Sequence, residues 1–341
     1  MFKPKYIYTE KLVSNIGTIR QIIGKLNARR FPQTVLYKLE TDAKALSAYS
    51  STSIEGNPLP LTDVRQILKT NPKQVRDTQK EVLNYNKAML YLDTLIKGAR
   101  GINLNNKLVL KTHEMVLKGL ANFSKGYRVE PVFVNDPRIK STVYWAPDHQ
   151  DVQPLINDLV DFVKINNGKI EAIILAGIFH QQFIIIHPFI DGNGRSTRLL
   201  TKALLAKMGL DTFQLFSFEN YYNNNVTNYF NKVGMRGNYY EVVQGWDFTP
   251  WLEYFTNGII DELNRVEKLL PQSTSLQERL EDHHYIILDL LQGSGVLQDA
   301  DYAKATKRSQ AARTLDFNKL IKLNLIERKG KGRGTYYVLR S

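Results

Sequence analysis

The sequence predicts a mainly α-helical fold with one β-hairpin near its middle and a small mixed module at its C-terminus. Three observations carry that reading. Apolar residues recur at three- and four-residue steps through most of the chain, the period of a one-sided helix. Only between Gly126 and Pro147 do β-prone residues gather into two runs around a polar interval. Beyond a linker-like stretch at 271–275, three short helical patterns precede two further β-prone runs.

Composition bounds the class. A chain of 341 residues with 43% hydrophobic content has room for two or three domains with cores of their own. The absence of cysteine removes disulfides and thiolate metal sites and suits a reducing compartment, so a cytoplasmic location is expected. The N-terminal Met1-Phe2-Lys3-Pro4-Lys5-Tyr6 has no apolar signal core, and runs such as Ile184-Ile185-Ile186 are far too short for a bilayer, so no membrane partner is expected. The net charge of +13 is uneven: residues 301–341 hold eleven lysines and arginines against three acidic residues. An acidic partner, if there is one, is therefore expected at the C-terminal end.

In chain order, Leu12, Ile16, Ile19, Ile22, Ile23 and Leu26 form one apolar helix face. A second helix, expected at about 42–54, breaks local rules. Ser50-Ser51-Thr52-Ser53 are weak helix formers, and Glu55 puts a negative charge at the negative end of the dipole before Gly56-Asn57-Pro58 stop the helix. Helical spacing returns over 61–97 and 104–117, with breaks at Asn71-Pro72 and 97–101. His113-Glu114 falls there and, lacking a third ligand at useful spacing, is expected to be packing or surface rather than a metal site. The hairpin is expected at 128–134 and 141–145, ending on Val143-Tyr144-Trp145. A buried helix over 170–186 then meets Pro188, which discourages helical continuation at His187. Another helix is expected over 195–208 with Gly209 as its stop, and after 213–218 and the tract 220–225 a last packing helix spans 250–270.

The chemistry concentrates between the two middle helices, in His187-Pro188-Phe189-Ile190-Asp191-Gly192-Asn193-Gly194-Arg195-Ser196-Thr197-Arg198. Glycines leading into a helix N-terminus let successive N–H groups converge where the dipole also favours an anion. Arg195 and Arg198 share a helical face, and guanidinium forks match phosphate oxygens. Asp191 is a hard oxygen ligand suited to Mg2+, and His187 is a base that titrates near neutrality. Taken singly, each residue is more often packing, a turn or a surface charge; it is their density in twelve residues that points to triphosphate chemistry.

The run fills every fixed position of a His-x-Phe-x-Asp/Glu-Gly-Asn-Gly-Arg-x-x-Arg signature and resembles the Fic family. The resemblance implies a Fic-type helical core over 101–270 and a protein adenylyltransferase that moves AMP from ATP to a Ser, Thr or Tyr hydroxyl of a target protein or of itself. His187 would be the base, Asp191 the magnesium ligand, and Gly192, Asn193, Gly194, Arg195 and Arg198 the phosphate cradle. Tyr229 would stand near the adenine, with Phe230 where relatives have a second tyrosine. The related death-on-curing toxins, which phosphorylate, usually carry lysine at the position of Gly194, so the glycine favours AMP transfer. Ser51, Glu55 and Gly56 resemble the inhibitory motif of Fic proteins, which implies that Glu55, in an N-terminal region over 1–100, pairs with Arg198 and occupies the fork meant for the γ-phosphate. The hairpin would be the flap that holds the target segment by strand addition through Val143, Tyr144 and Trp145.

Residues 276–341 resemble a winged helix, which implies a DNA or protein partner through its third helix and basic wing. An alternative function follows, a DNA-binding regulator whose core only senses nucleotide. A homodimer is left open.

Overall fold

The computed structural model describes residues 2–98, 102–121, 125–136, 141–210, 212–270 and 280–340. Five helices come first: α1 (Glu10–Asn27), α2 (Gln33–Ile54), α3 (Leu61–Thr70), α4 (Asp77–Lys97) and α5 (Asn106–Leu117). Strands β1 (Phe133–Asp136) and β2 (Ser141–Trp145) lead to α6 (His149–Asn166), α7 (Ala172–Ile186) and α8 (Asn193–Leu205). The short α9 (Glu219–Asn224), α10 (Val226–Val233), β3 (Gly237–Asn238) and α11 (Tyr239–Val242) precede the long α12 (Thr249–Leu269). The C-terminal module comprises α13 (Asp282–Ser294), α14 (Asp299–Ala305), α15 (Gln310–Lys322), β4 (Ile326–Lys329) and β5 (Tyr336–Leu339).

The larger core is built around α7, which is apolar on every side and buries Ile173, Ile174, Ile178, Phe179 and Phe183. Such a helix is stable only when surrounded, and α6, α8 and α12 cover it. Trp251 on α12 donates its indole N–H to the Gly177 carbonyl at 2.8 Å, satisfying a polar group that the packing would otherwise orphan. Helix α1 starts where the Thr9 hydroxyl accepts from the Leu12 N–H at 3.1 Å, and its apolar face lies on α12. A second core occupies the C-terminal module, where Leu280, Ile287, Leu288, Leu291, Phe317 and Leu320 pack together. Tyr37 of α2 belongs to that second core, whereas Ala48 and Ile54 of the same helix belong to the first.

Several boundaries differ from the sequence reading. Helix α2 begins at Gln33, well before 42, because Tyr37 is held by the C-terminal module rather than by an amphipathic stripe of its own. Helix α6 stands where no element was expected, although Val152, Ile156, Leu159 and Val163 recur at helical steps. The first strand begins at Phe133, not at 128, since Arg128 is drawn inward instead of continuing the strand. The hairpin gains a third strand: β3 pairs parallel with β2 at Tyr144 and Trp145, giving the order β1-β2-β3. Helix α8 starts at Asn193, two residues before Arg195, and α13 to α15 with the β4-β5 pair follow the expected helix-helix-helix-hairpin order. The linker expected at 271–275 lies outside the described residues. Among the described residues no helix is long and apolar enough to cross a membrane.

Candidate active site

The loop between α7 and α8 is held by its own side chains and by Arg128 and His113 from outside it. His187 ends α7 in the left-handed region at φ +51°, a conformation that costs a non-glycine residue about 1–3 kcal/mol and persists only where its surroundings enforce it. They do so through Arg128, a buried guanidinium whose Nε donates to the His187 carbonyl at 2.8 Å and whose other nitrogens donate to the carbonyls of Glu130 and Pro147. The Arg128 backbone N–H reaches the Pro188 carbonyl at 3.0 Å. Asn193 then clasps Phe189 from both sides, accepting from its N–H at 3.0 Å and donating to its carbonyl at 2.8 Å. From outside the loop, the His113 ring stacks on Phe189 at 3.6 Å, and its Nε2 lies 3.0 Å from the Asp191 carbonyl.

Gly192 supplies the turn into α8 at φ +80°. The N–H groups of Asn193, Gly194 and Arg195 open the helix, where no intrahelical acceptor exists for them. Arg195 is buried, with Nη2 2.8 Å from Asp191 Oδ1 and Nη1 3.6 Å from Glu81 Oε1. Asp191 is partly exposed at the mouth, and its Oδ1 also accepts from the Gly192 N–H. His187 is partly buried with Nδ1 3.3 Å from the Ile184 carbonyl, a contact that assigns the proton to Nδ1 and leaves Nε2 as the basic nitrogen. Burial is the main cause of a lowered His187 pKa, helped by Arg128 and opposed by the Ile184 carbonyl, Glu55 and Asp191. Burial thus favours the neutral ring.

Glu55 meets Arg198 in this cradle. The Arg198 side chain is fully buried, and its Nη2 donates to Glu55 Oε1 at 2.7 Å and to the Ser51 carbonyl at 2.8 Å, while Nε donates to Ser51 Oγ at 2.8 Å. Nη1 is buried and makes no hydrogen bond among the described residues. The carboxylate is aimed by a two-bond helix ending: the Asn57 N–H bonds the Thr52 carbonyl at 3.1 Å and the Gly56 N–H the Ser53 carbonyl at 2.9 Å, with Gly56 at φ +93°. Asn57 then anchors that turn to α4, donating to the Thr78 carbonyl at 2.8 Å and to Glu81 Oε2 at 2.9 Å. Gly194 makes room for the carboxylate; a Cβ there would sit 2.1 Å from Glu55 Oε1.

The other expected residues fall as follows. Tyr229 is buried, stacked on Tyr222 at 4.5 Å with its hydroxyl 3.1 Å from His180 Nε2, while Phe230 beside it is half exposed. Tyr144 points into the core and donates to the Ile185 carbonyl at 2.7 Å; Val143 and Trp145 lie on the opposite strand face, and Trp145 is exposed. Ser51 is a buried acceptor for Arg198. Sequence reasoning missed Glu81, Asn57, Arg128 and the positioning role of His113. Of these only His113 carried a signal, the His-Glu pair set aside as packing.

Residues 103–205 match the family model described as the Fic/DOC family. A protein named Protein adenylyltransferase Fic from Nematostella vectensis is 32% identical over 167 residues, 47% of this chain and 37% of that one. Protein adenylyltransferase fic-1 from Caenorhabditis elegans is 28% identical over 181 residues, 52% of this chain and 34% of that one. This chain therefore spans less than two fifths of the length of either relative. Among solved structures, a Fic family protein from Desulfovibrio desulfuricans G20 shares the fold over 100% of this chain and 99% of its own, with a TM-score of 0.64 at 20% identity. Fic-1 from C. elegans does so over 75% of this chain and 72% of its own, with a TM-score of 0.58 at 20% identity. The part of this chain that matches the Fic/DOC family, residues 103–205, holds the whole signature loop.

Proposed function

We propose that this chain is a protein adenylyltransferase, moving AMP from ATP to a protein hydroxyl, and that Glu55 holds it in check. The observation that carries the reading is one cradle in which a histidine, a helix N-terminus and two buried guanidinium groups converge. The naming of its relatives as adenylyltransferases supports the same chemistry. In this reading the hydroxyl oxygen attacks the α-phosphorus, the bond to the β-phosphate oxygen breaks, and pyrophosphate leaves. His187 Nε2 takes the hydroxyl proton. Arg195, the open N–H groups of α8 and the unpaired Arg198 Nη1 offer donors for the charge on the phosphates.

Asp191 suits Mg2+ by its chemistry, a partly exposed carboxylate at the mouth of a phosphate cradle. Bound there, the ion would neutralise phosphate charge. Glu55 opposes productive binding because it occupies the Arg198 fork and the space above Gly194, where an outer phosphate would otherwise rest. The test is incubation with labelled ATP and magnesium. His187→Ala should lose about 10²–10⁴ in the rate of protein labelling while still binding ATP; equal labelling in the variant and the parent chain would overturn the assignment.

A second reading, retention on duplex DNA, draws on α15. Its exposed positions Gln310, Thr314 and Asn318 lie four residues apart on one face, and the adjoining wing carries Arg328, Lys329 and Lys331. Arg308 and Arg313 are engaged within the module by Asp316 and Asp299, so recognition would fall to the amides and the wing.

A further inference from the structure

Helix α2 has a part at each end. Its last turn delivers Ser51 and Glu55 to Arg198, and its second turn is seated in the C-terminal module, where the Tyr37 hydroxyl, itself buried, donates to the Leu288 carbonyl at 3.3 Å. From Tyr37 to Glu55 is about 27 Å of helix at 1.5 Å per residue. Between the ends, α2 buries polar groups among Ala43, Ala45 and Ala48. Lys44, 6% exposed, donates to Gln292 of α13 at 2.9 Å and to Glu40 at 2.7 Å, and lies 3.5 Å from Asp93 of α4. One turn on, Ser47 donates to the fully buried Glu219 at 3.2 Å and accepts from Lys202 at 3.2 Å. Glu219 in turn accepts from Tyr85 at 2.8 Å, and Lys202 sits one turn beyond Arg198 on α8.

Directional bonds of this kind fix the rotation and axial position of a helix, where an apolar face would tolerate small slides. A sub-ångström displacement at the Tyr37 end would be carried along a rigid rod to the carboxylate, and the Glu55–Arg198 bond at 2.7 Å has little slack to absorb it. The module also touches the segment after α3: Asn71 donates to the carbonyls of Gly293 and Ser294 at 3.4 Å.

We propose that the C-terminal module functions as the brace of the inhibitory helix: through Tyr37 and the Lys44–Gln292 bond it holds α2 in the position that keeps Glu55 on Arg198. This rests on the adenylyltransferase reading above. Tyr37, Lys44 and Gln292 are then positioning residues, acting through Glu55 without touching the reacting atoms. A partner that shifts α13 would relieve inhibition without entering the transfer site.

The experiment measures self-labelling by labelled ATP in full-length chains. Tyr37→Phe with Gln292→Ala removes the Tyr37–Leu288 and Lys44–Gln292 bonds while keeping the ring in the module core. Labelling should rise about fivefold or more, the low end of ordinary coupling between sites. In a Glu55→Gly background the same pair should add nothing. Tyr37→Phe with Gln292→Glu, which restores an oxygen acceptor for Lys44, should return labelling toward the parent level, and a thermal melt of each variant separates release from unfolding. If Glu55→Gly activates but the Tyr37/Gln292 pair does not, or the pair activates equally in both backgrounds, the brace is wrong and the inhibitory reading stands. If Glu55→Gly itself leaves labelling unchanged, inhibition by Glu55 fails.

Discussion

At the scale of the residue, the proposed role of Glu55 sets stability against activity. The pair joins a fully buried guanidinium to a carboxylate with 30% of its side chain exposed. Losing that charge-assisted bond should lower stability by roughly 1–2 kcal/mol, the low part of the usual range, because the carboxylate keeps solvent contact and opposes the α2 dipole. Glu55→Gly is therefore expected to melt earlier in urea yet label itself faster, with the gain lost in Glu55→Gly/Arg198→Ala; a variant both unchanged in stability and unchanged in rate would make Glu55 a surface residue. His187 gives a second expectation. Its pKa is lowered chiefly by burial, and Glu55→Gly removes a carboxylate that raises it, so the neutral base persists into acid. The rate of that variant should fall only below pH 6.5, the ordinary histidine value; an acid limb centred at or above it would contradict the assignment. Arg128→Ala should cut the transfer rate at saturating ATP about tenfold or more and spare the KM for ATP, since it frees the backbone of His187 and leaves the phosphate donors in place. The loop residues could be read from sequence because their chemistry is contiguous. Arg128 and Glu81 could not, because each is an ordinary charged residue until the fold carries it to the loop from 59 or more positions away.

At the scale of the element, α2 explains why a helix whose last turns are poor in helix formers persists. Ser47, Ser51 and Thr52 are fully or almost fully buried, and each hydroxyl has a partner, in Glu219, Arg198 and the Ala48 carbonyl respectively. A long apolar side chain at Ser47 or Ser51 would displace a charged group from its partner. The weak propensity of 50–53 thus marks the turn where Ser51 meets Arg198, whereas the N-terminal extension of α2 carries no such mark, since its support comes from a module more than 240 residues away. The turn after α2 is testable on its own: Asn57→Ala removes two donated bonds and should lower stability by about 1–2 kcal/mol in urea and raise self-labelling. Unchanged labelling with the stability loss present would confine Asn57 to a structural part. For α15, alanine at Gln310, Thr314 and Asn318 should weaken binding to a preferred duplex without altering its salt dependence. Alanine at Lys329 and Lys331 should reduce the slope of log K against log salt by up to about one each. Retention that ignores both sets would exclude this face as the DNA contact.

At the scale of the whole molecule, the two cores share one helix, and that has a consequence for unfolding. The larger core holds Trp246 and Trp251, the latter against α7, while the second core of the C-terminal module contains no tryptophan. If the cores were independent, tryptophan fluorescence would report the first and far-ultraviolet circular dichroism would show an additional step for the second. Helix α2 argues against independence. Unfolding the module strips Tyr37 and Gln292 from it, and unfolding the larger core removes Ala48, Ile54 and the Arg198 bonds, so neither core can melt without loosening the element the other uses. The two signals should therefore coincide in a urea titration of the parent chain. Tyr37→Ala deletes a buried ring from the module core at a cost of about 3–5 kcal/mol, judged from other buried aromatic truncations. That loss falls on the smaller core, so the circular dichroism midpoint should drop ahead of the fluorescence midpoint and separate the transitions. Two resolved steps already present in the parent chain would mean that α2 does not couple the cores, whereas a single step in both proteins, shifted equally, would mean that the coupling survives the loss of Tyr37.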